Sequence, residues 1–333
     1  MKVAFVHKDI NVDVNAGGIN TGYLKHIEEL EKTGVETITL TSRDGNWPFK
    51  GKRYILPLDS TRNKKIRQIL EDEKPDIVDV FSWNAELLDY VSGAHSCKVV
   101  MRADIPMKYY GKENLDEKMA KKCDKVVSIS KWCDFEWSSV IGKSTTIIPH
   151  ACDAPVLTSC EKEQDTIVWV GKATDTKGFD LLFQLNDNFF KNYKLTVVCA
   201  KTKFSDEEQF SYLKAKGVSI VENLSNEKYF ELLAKSQFVL STARREGFCI
   251  AVLEAMLYGA IPIIPYWIGG TTDFVNKRNG IIYKNLKDIP ILLQQIKSTK
   301  QMSSLNIIKA KKYNWKRIVN LSYKMYKGMI NAK

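Results

Sequence analysis

The stretch 238–275 constrains the fold more than any other, because it predicts a strand, a loop, a helix and a second strand in succession. An apolar segment opens it, an apolar-rich helix is predicted over 248–258, and the run 261–265 predicts the next buried strand. This pattern places Glu246 in the loop after the first strand and Glu254 about two turns along the helix. Ligands of open α/β sheets bind at such carboxyl ends of strands.

The same alternation of strands and helices runs through both halves of the chain and predicts two doubly wound α/β domains with parallel sheets. A polar stretch containing a proline, 154–164, predicts the linker between domains spanning 1–153 and 165–310. Two helices are predicted to close the chain. The last of them, within 311–333, has an apolar face at three-to-four-residue spacing, which favours packing on the protein's own core.

The net charge of +11 is concentrated in the tail from Ile289 to Lys333. This tail holds nine lysines and Arg317 with no acidic residue, whereas the rest of the chain carries only +1. Such a tail attracts an anionic partner such as lipid head groups, a phosphorylated polymer or nucleic acid, or is simply the solvated face of terminal helices. Nucleic acid is disfavoured because no aromatic platform accompanies the basic residues.

Cysteine usage and hydropathy favour a cytoplasmic location. The seven cysteines are scattered without metal-binding spacing, which is typical of reduced cytosolic thiols. No apolar run approaches the roughly 20 residues of a membrane span. The first residues predict a strand rather than a signal peptide. We therefore expect a cytoplasmic protein whose basic tail contacts the inner face of an anionic membrane.

Two lysines follow the first strand of the second half and suit a diphosphate. Lys172 follows Gly171, and Lys177 precedes a glycine predicted to open a helix, so point charges and free backbone amides occur together. Glu254 has the geometry to accept hydrogen bonds from two vicinal hydroxyls of a ribose, and Glu246 those of a sugar. Each of these residues alone is equally consistent with ordinary surface charge, and only their joint arrangement favours a site for a sugar nucleotide.

Backbone amides supply the remaining candidates. Phe248, Cys249 and Ile250 begin the helix of the opening stretch, so their N–H groups point toward anionic oxygens. Gly17 and Gly18 lie between the first strand and the following helix, where their backbone N–H groups can approach a phosphate or sugar closely. A turn without ligand explains this glycine pair equally well.

The spacing of the two glutamates resembles the signature of the retaining GT-B glycosyltransferases of the large family 4, also called group 1. In the motif, Glu246 and Glu254 are followed by an Ala-Met pair, a glycine and a proline. Weaker matches extend the resemblance along the chain. They are Gly17-Gly18, Asp124 to Ser130, Ile148 to Asp153, Val170 to Gly178, Gly269-Gly270, Asn279-Gly280, and Trp315 to Tyr326.

The resemblance implies a GT-B fold, in which two Rossmann-like domains face a central cleft, with the acceptor side in the first domain and the donor side in the second. It also implies that the basic closing helix, within 311–333, packs back on the first domain. It implies that Lys172 and Lys177 hold the donor diphosphate, that Glu254 binds the nucleotide ribose and that Glu246 binds the transferred sugar. Gly17, Gly18, Gly171 and the amides of Phe248, Cys249 and Ile250 would complete the donor site. It also implies catalysis without metal or other cofactor, in agreement with the absence of an Asp-x-Asp motif.

Four departures from the family pattern bear on the donor. Lys172 replaces the usual arginine, Cys249 a glycine and His150 an asparagine, while Arg102 stands where many members have a histidine that touches the sugar. We take Arg102 and Asp104 as candidates for the wall next to the sugar. A buried structural ion pair is the equally weighted alternative.

The leading hypothesis is retaining transfer of a sugar from a nucleotide diphosphate sugar, with a UDP-sugar favoured, to an acceptor hydroxyl. Glu246, Lys177 and Lys172 would act at the reacting centre, and the acceptor would be a lipid-linked or anionic glycan precursor. The alternative is a non-catalytic subunit that binds sugar nucleotides, which the changes at Arg102 and Cys249 favour.

Overall fold

The computed structural model describes the chain except residues 8–17, 43–46, 82–96, 104–112, 154, 156–160, 201–206, 268 and 333. The described chain divides into two compact units. The first unit combines Met1–Ala151 with Trp315–Lys333, and the second is Cys152–Asn314. The predicted helix around 85–92 and most of the predicted linker lie outside the described residues.

The first unit contains a seven-stranded, fully parallel sheet in the order β3-β2-β1-β4-β5-β6-β7. Its strands are β1 (Lys2–Val6), β2 (Glu36–Thr41), β3 (Lys52–Ile55), β4 (Ile77–Phe81), β5 (Lys98–Ala103), β6 (Lys125–Ser128) and β7 (Thr146–Ile147). The central strands are buried apolar runs, as expected for a sheet covered on both faces. The direction of strand order reverses between β1 and β4.

Five helices accompany this sheet among the described residues of the unit. They are α1 (Gly18–Glu31), α2 (Arg62–Glu73), α3 (Glu113–Lys122), α4 (Lys131–Ile141) and the last helix of the chain, α11 (Trp315–Asn331). The apolar face of α11 packs in the same core as Val3, Phe5 and Ile27. The final helix is therefore part of the first unit, and this unit resumes at Trp315 rather than at the predicted residue 311.

The second unit contains a six-stranded parallel sheet in the order β10-β9-β8-β11-β12-β13. Its strands are β8 (Glu163–Lys172), β9 (Lys194–Ala200), β10 (Ser219–Val221), β11 (Ser236–Leu240), β12 (Ile261–Pro265) and β13 (Ile281–Tyr283). Strand β8 begins at Glu163, so two residues assigned to the linker belong to this sheet. The strand order reverses between β8 and β11.

The helices of the second unit are α5 (Asp187–Asn192), α6 (Glu207–Ala215), α7 (Asn226–Lys235), α8 (Ile250–Leu257), α9 (Ile289–Gln294) and α10 (Thr299–Ala310). Among the described residues, three α-helices follow β13, α9 and α10 in the second unit and α11 in the first, where the sequence analysis predicted two. The helix predicted to open at Gly178 is replaced by two short 3-10 segments, Asp175–Lys177 and Asp180–Gln184. None of the helices in the described part of the chain is long and apolar enough to cross a bilayer.

Candidate functional site

Most of the predicted donor residues lie in two loops of the second unit, one after β8 and one after β11. These two strands are paired in parallel, with Val168 opposite Val239 and Trp169 opposite Leu240. The strand order reverses between them, so their carboxyl ends form the switch point at which open α/β sheets bind ligands. The topology therefore brings Lys172 and Lys177 to the same sheet edge as Glu246.

The loop after β8 is fixed by a buried threonine of the loop after β11. The hydroxyl of Thr242 faces the carbonyl oxygens of Lys177 and Gly178 at 3.0 and 2.8 Å and accepts a hydrogen bond of 2.9 Å from the Trp169 indole. Gly178 has a φ of +65°, and a Cβ at this position would lie 2.0 Å from the Thr242 carbonyl oxygen. The close approach requires glycine, and it fixes the backbone of Lys177.

Lys177 and Glu246 form a two-contact ion pair across the two loops. The Lys177 ammonium donates to both carboxylate oxygens of Glu246 at 2.7 Å. The Glu246 side chain is only 12% exposed, whereas that of Lys177 is 35% exposed. The pair combines a positive charge for a phosphate with a carboxylate for sugar hydroxyls.

A second ion pair braces the same loops. Arg244 contacts both carboxylate oxygens of Asp180 at 2.6 Å, and its backbone amide donates to the carbonyl of Thr176 at 3.0 Å. Both side chains are partly exposed, so solvent weakens the interaction. The geometry nevertheless holds the 3-10 turn before Lys177 in place.

The loop after β12 also contacts Glu246. The Glu246 backbone forms a parallel bridge with Gly269, and its carbonyl accepts a hydrogen bond of 3.0 Å from the amide of Gly270. The sequence predicts that this glycine pair opens a helix. In the structure it opens a short 3-10 turn, Gly270–Asp273. Three loops of the sheet edge thus converge at Glu246.

Cys249 adopts a left-handed backbone conformation, with a φ of +68°, immediately before α8. Glycine takes this conformation without penalty, whereas a residue with a Cβ pays roughly 1–2 kcal/mol. This agrees with the glycine that the family signature has here. Burial raises the pKa of the Cys249 thiol to about 12, and the nearby Glu246 charge adds to the shift. The thiol is therefore protonated at neutral pH and is not a nucleophile.

Glu254 lies on α8 and is held by a tyrosine of α7. Tyr229 donates a hydrogen bond of 2.7 Å to Oε2 of Glu254, which leaves Oε1 for another donor. Desolvation raises the pKa of Glu254 to about 7, and the hydrogen bond from Tyr229 lowers it in part. The carboxylate is thus poised between its two protonation states near neutral pH.

The remaining predicted residues of the second unit have distinct environments. Lys172 ends β8 and is exposed, and the structure shows Gly171 packed so closely that a Cβ would lie 2.9 Å from the Trp169 ring. The Phe248 side chain is buried against Phe274, with ring centroids 5.2 Å apart. The Phe248 side chain therefore belongs to the core, and Ile250 begins α8.

Of the residues predicted for the site in the first unit, the structure describes two, Gly18 and Arg102. Gly18 begins α1, while Gly17 and Asp104 lie outside the described residues. Arg102 donates through Nε to both carboxylate oxygens of Asp79 at 3.0 Å, and both side chains are buried. Of the two alternatives for Arg102, the structure thus shows the buried structural ion pair.

Sequence reasoning missed three residues of the second-unit site. Thr242 bonds to Lys177, Tyr229 bonds to Glu254, and Arg244 bonds to Asp175 in the turn that contains Lys177, although none of the three was selected. Thr242 had a local signal, because a small polar residue directly after a buried strand often contacts a neighbouring loop. Tyr229 had none, since its partner is 25 residues away.

Comparison with protein families finds a match for most of the second unit. Residues 158–309 match the family model described as glycosyl transferases group 1. A glycogen synthase from Finegoldia magna is 28% identical over 179 residues, which cover 50% of this chain and 38% of the relative. The chain thus matches well under half of that relative's length.

Solved structures show the fold. Sucrose-phosphate synthase from Thermosynechococcus elongatus superposes with a TM-score of 0.82 at 14% identity, covering 100% of both chains. Anabaena HepE in complex with UDP and glucose superposes with a TM-score of 0.76 at 14% identity, covering 98% of this chain and 100% of that one. The predicted GT-B fold is confirmed, and the predicted resemblance to the group 1 glycosyl transferases is found over residues 158–309.

Proposed function

We propose that this protein is a retaining glycosyltransferase that moves a sugar from a nucleotide diphosphate sugar to an acceptor hydroxyl. The observation that carries the proposal is the Lys177–Glu246 ion pair at the switch point of a group 1 transferase domain. A cation and a carboxylate held 2.7 Å apart offer a phosphate and a polyol their complementary partners side by side. Glu254, one helix turn or more beyond, supplies the acceptor for a ribose.

Catalysis in this site consists of positioning and electrostatic stabilisation. Lys177, Lys172 and the amides before α8 stabilise the negative charge that develops on the departing diphosphate. Glu246 orients the transferred sugar through its hydroxyls. The acceptor hydroxyl attacks from the face of the leaving group, and a phosphate oxygen takes its proton. This route uses no protein nucleophile, in keeping with the protonated Cys249 thiol.

The donor we propose is a UDP-sugar, bound without metal or other cofactor. A structural neighbour, Anabaena HepE, was solved in complex with UDP-glucose, which supports this choice among nucleotides. For the acceptor we propose a lipid-linked or anionic glycan precursor made at the cytoplasmic face of a membrane. A neighbour described as a lipopolysaccharide outer core galactosyltransferase supports that class of acceptor. The basic tail would contact the membrane surface.

The test begins with a thermal-shift screen of UDP-, GDP-, ADP- and TDP-sugars, followed by an assay of sugar release from the stabilising donor. Lys177→Ala and Glu254→Ala should each reduce release at least about a hundredfold. Lys191→Ala, at an exposed lysine of the same unit, serves as the control and should retain it. Unchanged release in both site variants would contradict the proposal.

A non-catalytic subunit that binds sugar nucleotides is the second candidate. Two observations favour it: Cys249 fills the position of a signature glycine, and Arg102 is held in a buried ion pair. Isothermal titration with UDP, combined with the release assay, separates the two candidates. Binding without turnover, in the presence of a panel of sugar acceptors, would favour the subunit.

A further inference from the structure

A groove in the first unit lies outside the site described above. It has a volume of about 580 Å³ and runs beside α11 along the sheet. Three of its lining residues, Lys98, Lys125 and Thr146, are the first residues of β5, β6 and β7. The groove therefore lies at the amino edge of the sheet, opposite the carboxyl edge toward which open α/β sheets direct their catalytic loops.

The helix side of the groove is apolar. It is formed by Leu321, Met325 and Met329 of α11, and Leu321 is 36% exposed although it is a large aliphatic residue. Gly328 lies between them, and a Cβ added there would meet nothing within 4 Å. The groove is thus open at its apolar side, where the exposed Leu321 lies beside the partly buried Met325 and the buried Met329.

The rim of the groove is basic. Lys98 is paired with Asp124 at 3.0 Å, which neutralises that corner. Among the residues that the structure describes, neither Lys125 nor Lys324 has an ion-pair partner, and both are exposed. The exposed surface of α11 also carries Lys316, Arg317 and Lys327, and this helix contains no acidic residue.

We infer that this groove binds the headgroup and glycerol region of an anionic phospholipid, and that it is the place where the first unit contacts a membrane. The basic rim matches a phosphate-bearing surface, and the apolar side matches the first carbons of the acyl chains. A soluble anion or a nucleic acid backbone would use the lysines but leave the exposed Leu321 in water. The inference specifies the membrane contact of the proposed function.

Vesicle sedimentation tests the inference with the full chain. Vesicles of phosphatidylcholine mixed equally with phosphatidylglycerol should pellet the protein, and vesicles of phosphatidylcholine alone should not. The double variant Lys125→Gln/Lys324→Gln should bind the anionic vesicles about thirtyfold more weakly, because one lysine near an anionic surface contributes roughly fivefold. The matched control is Lys64→Gln/Lys65→Gln on α2, which removes two exposed lysines of the same unit and should keep more of the binding.

A neutral groove-filling variant distinguishes the groove from surface charge alone. Gly328→Gln keeps the charge, adds a good helix former and fills the open space beside Met325 and Met329. It should weaken binding to anionic vesicles by at least about fivefold, as much as the loss of one lysine. Undiminished binding of Gly328→Gln to anionic vesicles would overturn the inference that the groove binds lipid, since the surface charge alone would then account for the binding.

Two further outcomes would also overturn the inference. One is equal partitioning onto neutral and anionic vesicles, and the other is retention on duplex DNA with no vesicle binding. Sugar release from UDP-glucose, measured on the same preparations without vesicles, keeps the two proposals apart. Normal release together with failed sedimentation would remove only the membrane contact, whereas absent release with intact sedimentation would remove only the transferase.

Discussion

The phenol of Tyr229 donates a hydrogen bond of 2.7 Å to the carboxylate of Glu254 and so joins α7 to α8 in the second unit. The contact fixes the orientation of Oε1, the oxygen left for a ligand. It also favours the ionised form of a carboxyl whose pKa is raised to about 7 by desolvation. The thiols of Cys152 and Cys249 nearby have raised pKa values, so Glu254 is the group that titrates near neutrality.

We therefore predict that affinity for UDP-glucose rises about tenfold between pH 6 and pH 8, as Glu254 ionises and becomes an acceptor for ribose hydroxyls. UDP-glucose is the suitable probe because it has no terminal phosphate monoester that titrates in this range. In Tyr229→Phe the pKa of Glu254 should rise further, because the hydrogen bond that lowers it is lost. The affinity profile should then shift to higher pH.

Isothermal titration across this pH range measures both effects. A merely structural role of Tyr229 would weaken binding equally at every pH, so a parallel offset without a shift would contradict the positioning role. Glu254→Gln supplies the control, since it removes the titrating group and should flatten the profile.

Cys249 gives a prediction about backbone strain. Its φ of +68° is a conformation that glycine adopts freely and alanine does not. Cys249→Gly and Cys249→Ala both remove the thiol, but only the glycine relieves the strain. We expect the glycine variant to be more stable than the alanine variant by roughly 1 kcal/mol in urea unfolding. The reverse order, which is usual next to helices, would show that the residue does not take a left-handed conformation.

The parallel direction of the sheets and the positions of most strands along the chain could be predicted, because most strands are apolar runs followed by a glycine or polar turn. The two-glutamate motif likewise predicted its own strand, helix and strand, with α8 two residues shorter at its start. Strand β3 was missed because it is an edge strand with mostly exposed residues, which leaves no apolar run. Periodicity cannot detect such a strand.

The contacts that assemble the site could not be predicted, because they join residues far apart in sequence. Lys177 and Glu246 are 69 residues apart, and Arg102 bonds to Tyr326 across 224 residues. No local sequence pattern indicates such distant partners. The same holds for Gly178, whose close approach to Thr242 replaced the predicted helix start by a 3-10 turn.

Gly178 provides a matched pair of substitutions with Gly217. Both have positive φ, at +65° and +80°, but a Cβ at Gly217 would meet nothing within 4 Å, whereas one at Gly178 would collide with backbone. Gly217→Ala should cost about 1 kcal/mol of unfolding free energy from strain alone. Gly178→Ala should cost at least about 1 kcal/mol more, because the collision forces a backbone shift.

The functional consequence should differ as well. Displacing Gly178 moves Lys177 away from Glu246, so Gly178→Ala should also lose binding of UDP-glucose, while Gly217→Ala should keep it. Urea unfolding and isothermal titration on both variants provide the measurements. Equal losses for the two glycines would mean that the loop after β8 adapts to the added methyl group.

The last prediction concerns the buried network around Asp79 in the first unit. Asp79 accepts hydrogen bonds from Arg102, and Tyr326 of α11 donates to it as well. Arg102 is also bonded to the Tyr326 hydroxyl at 2.9 Å, so the ion pair connects β4 and β5 to the last helix. Asp79→Ala should destabilise the protein by about 3–5 kcal/mol, because it leaves the buried guanidinium without its counter-charge.

Tyr326→Phe removes one hydroxyl without uncovering a charge and should cost less, about 1–3 kcal/mol. The double variant Asp79→Leu/Arg102→Met replaces both charges by apolar groups and should be more stable than Asp79→Ala, because no unpaired charge remains. Urea unfolding followed by tryptophan fluorescence measures all three, since Trp137 and Trp315 lie in the same unit. A double variant less stable than Asp79→Ala would show that the ion pair itself, rather than the avoidance of an unpaired charge, stabilises the attachment of α11.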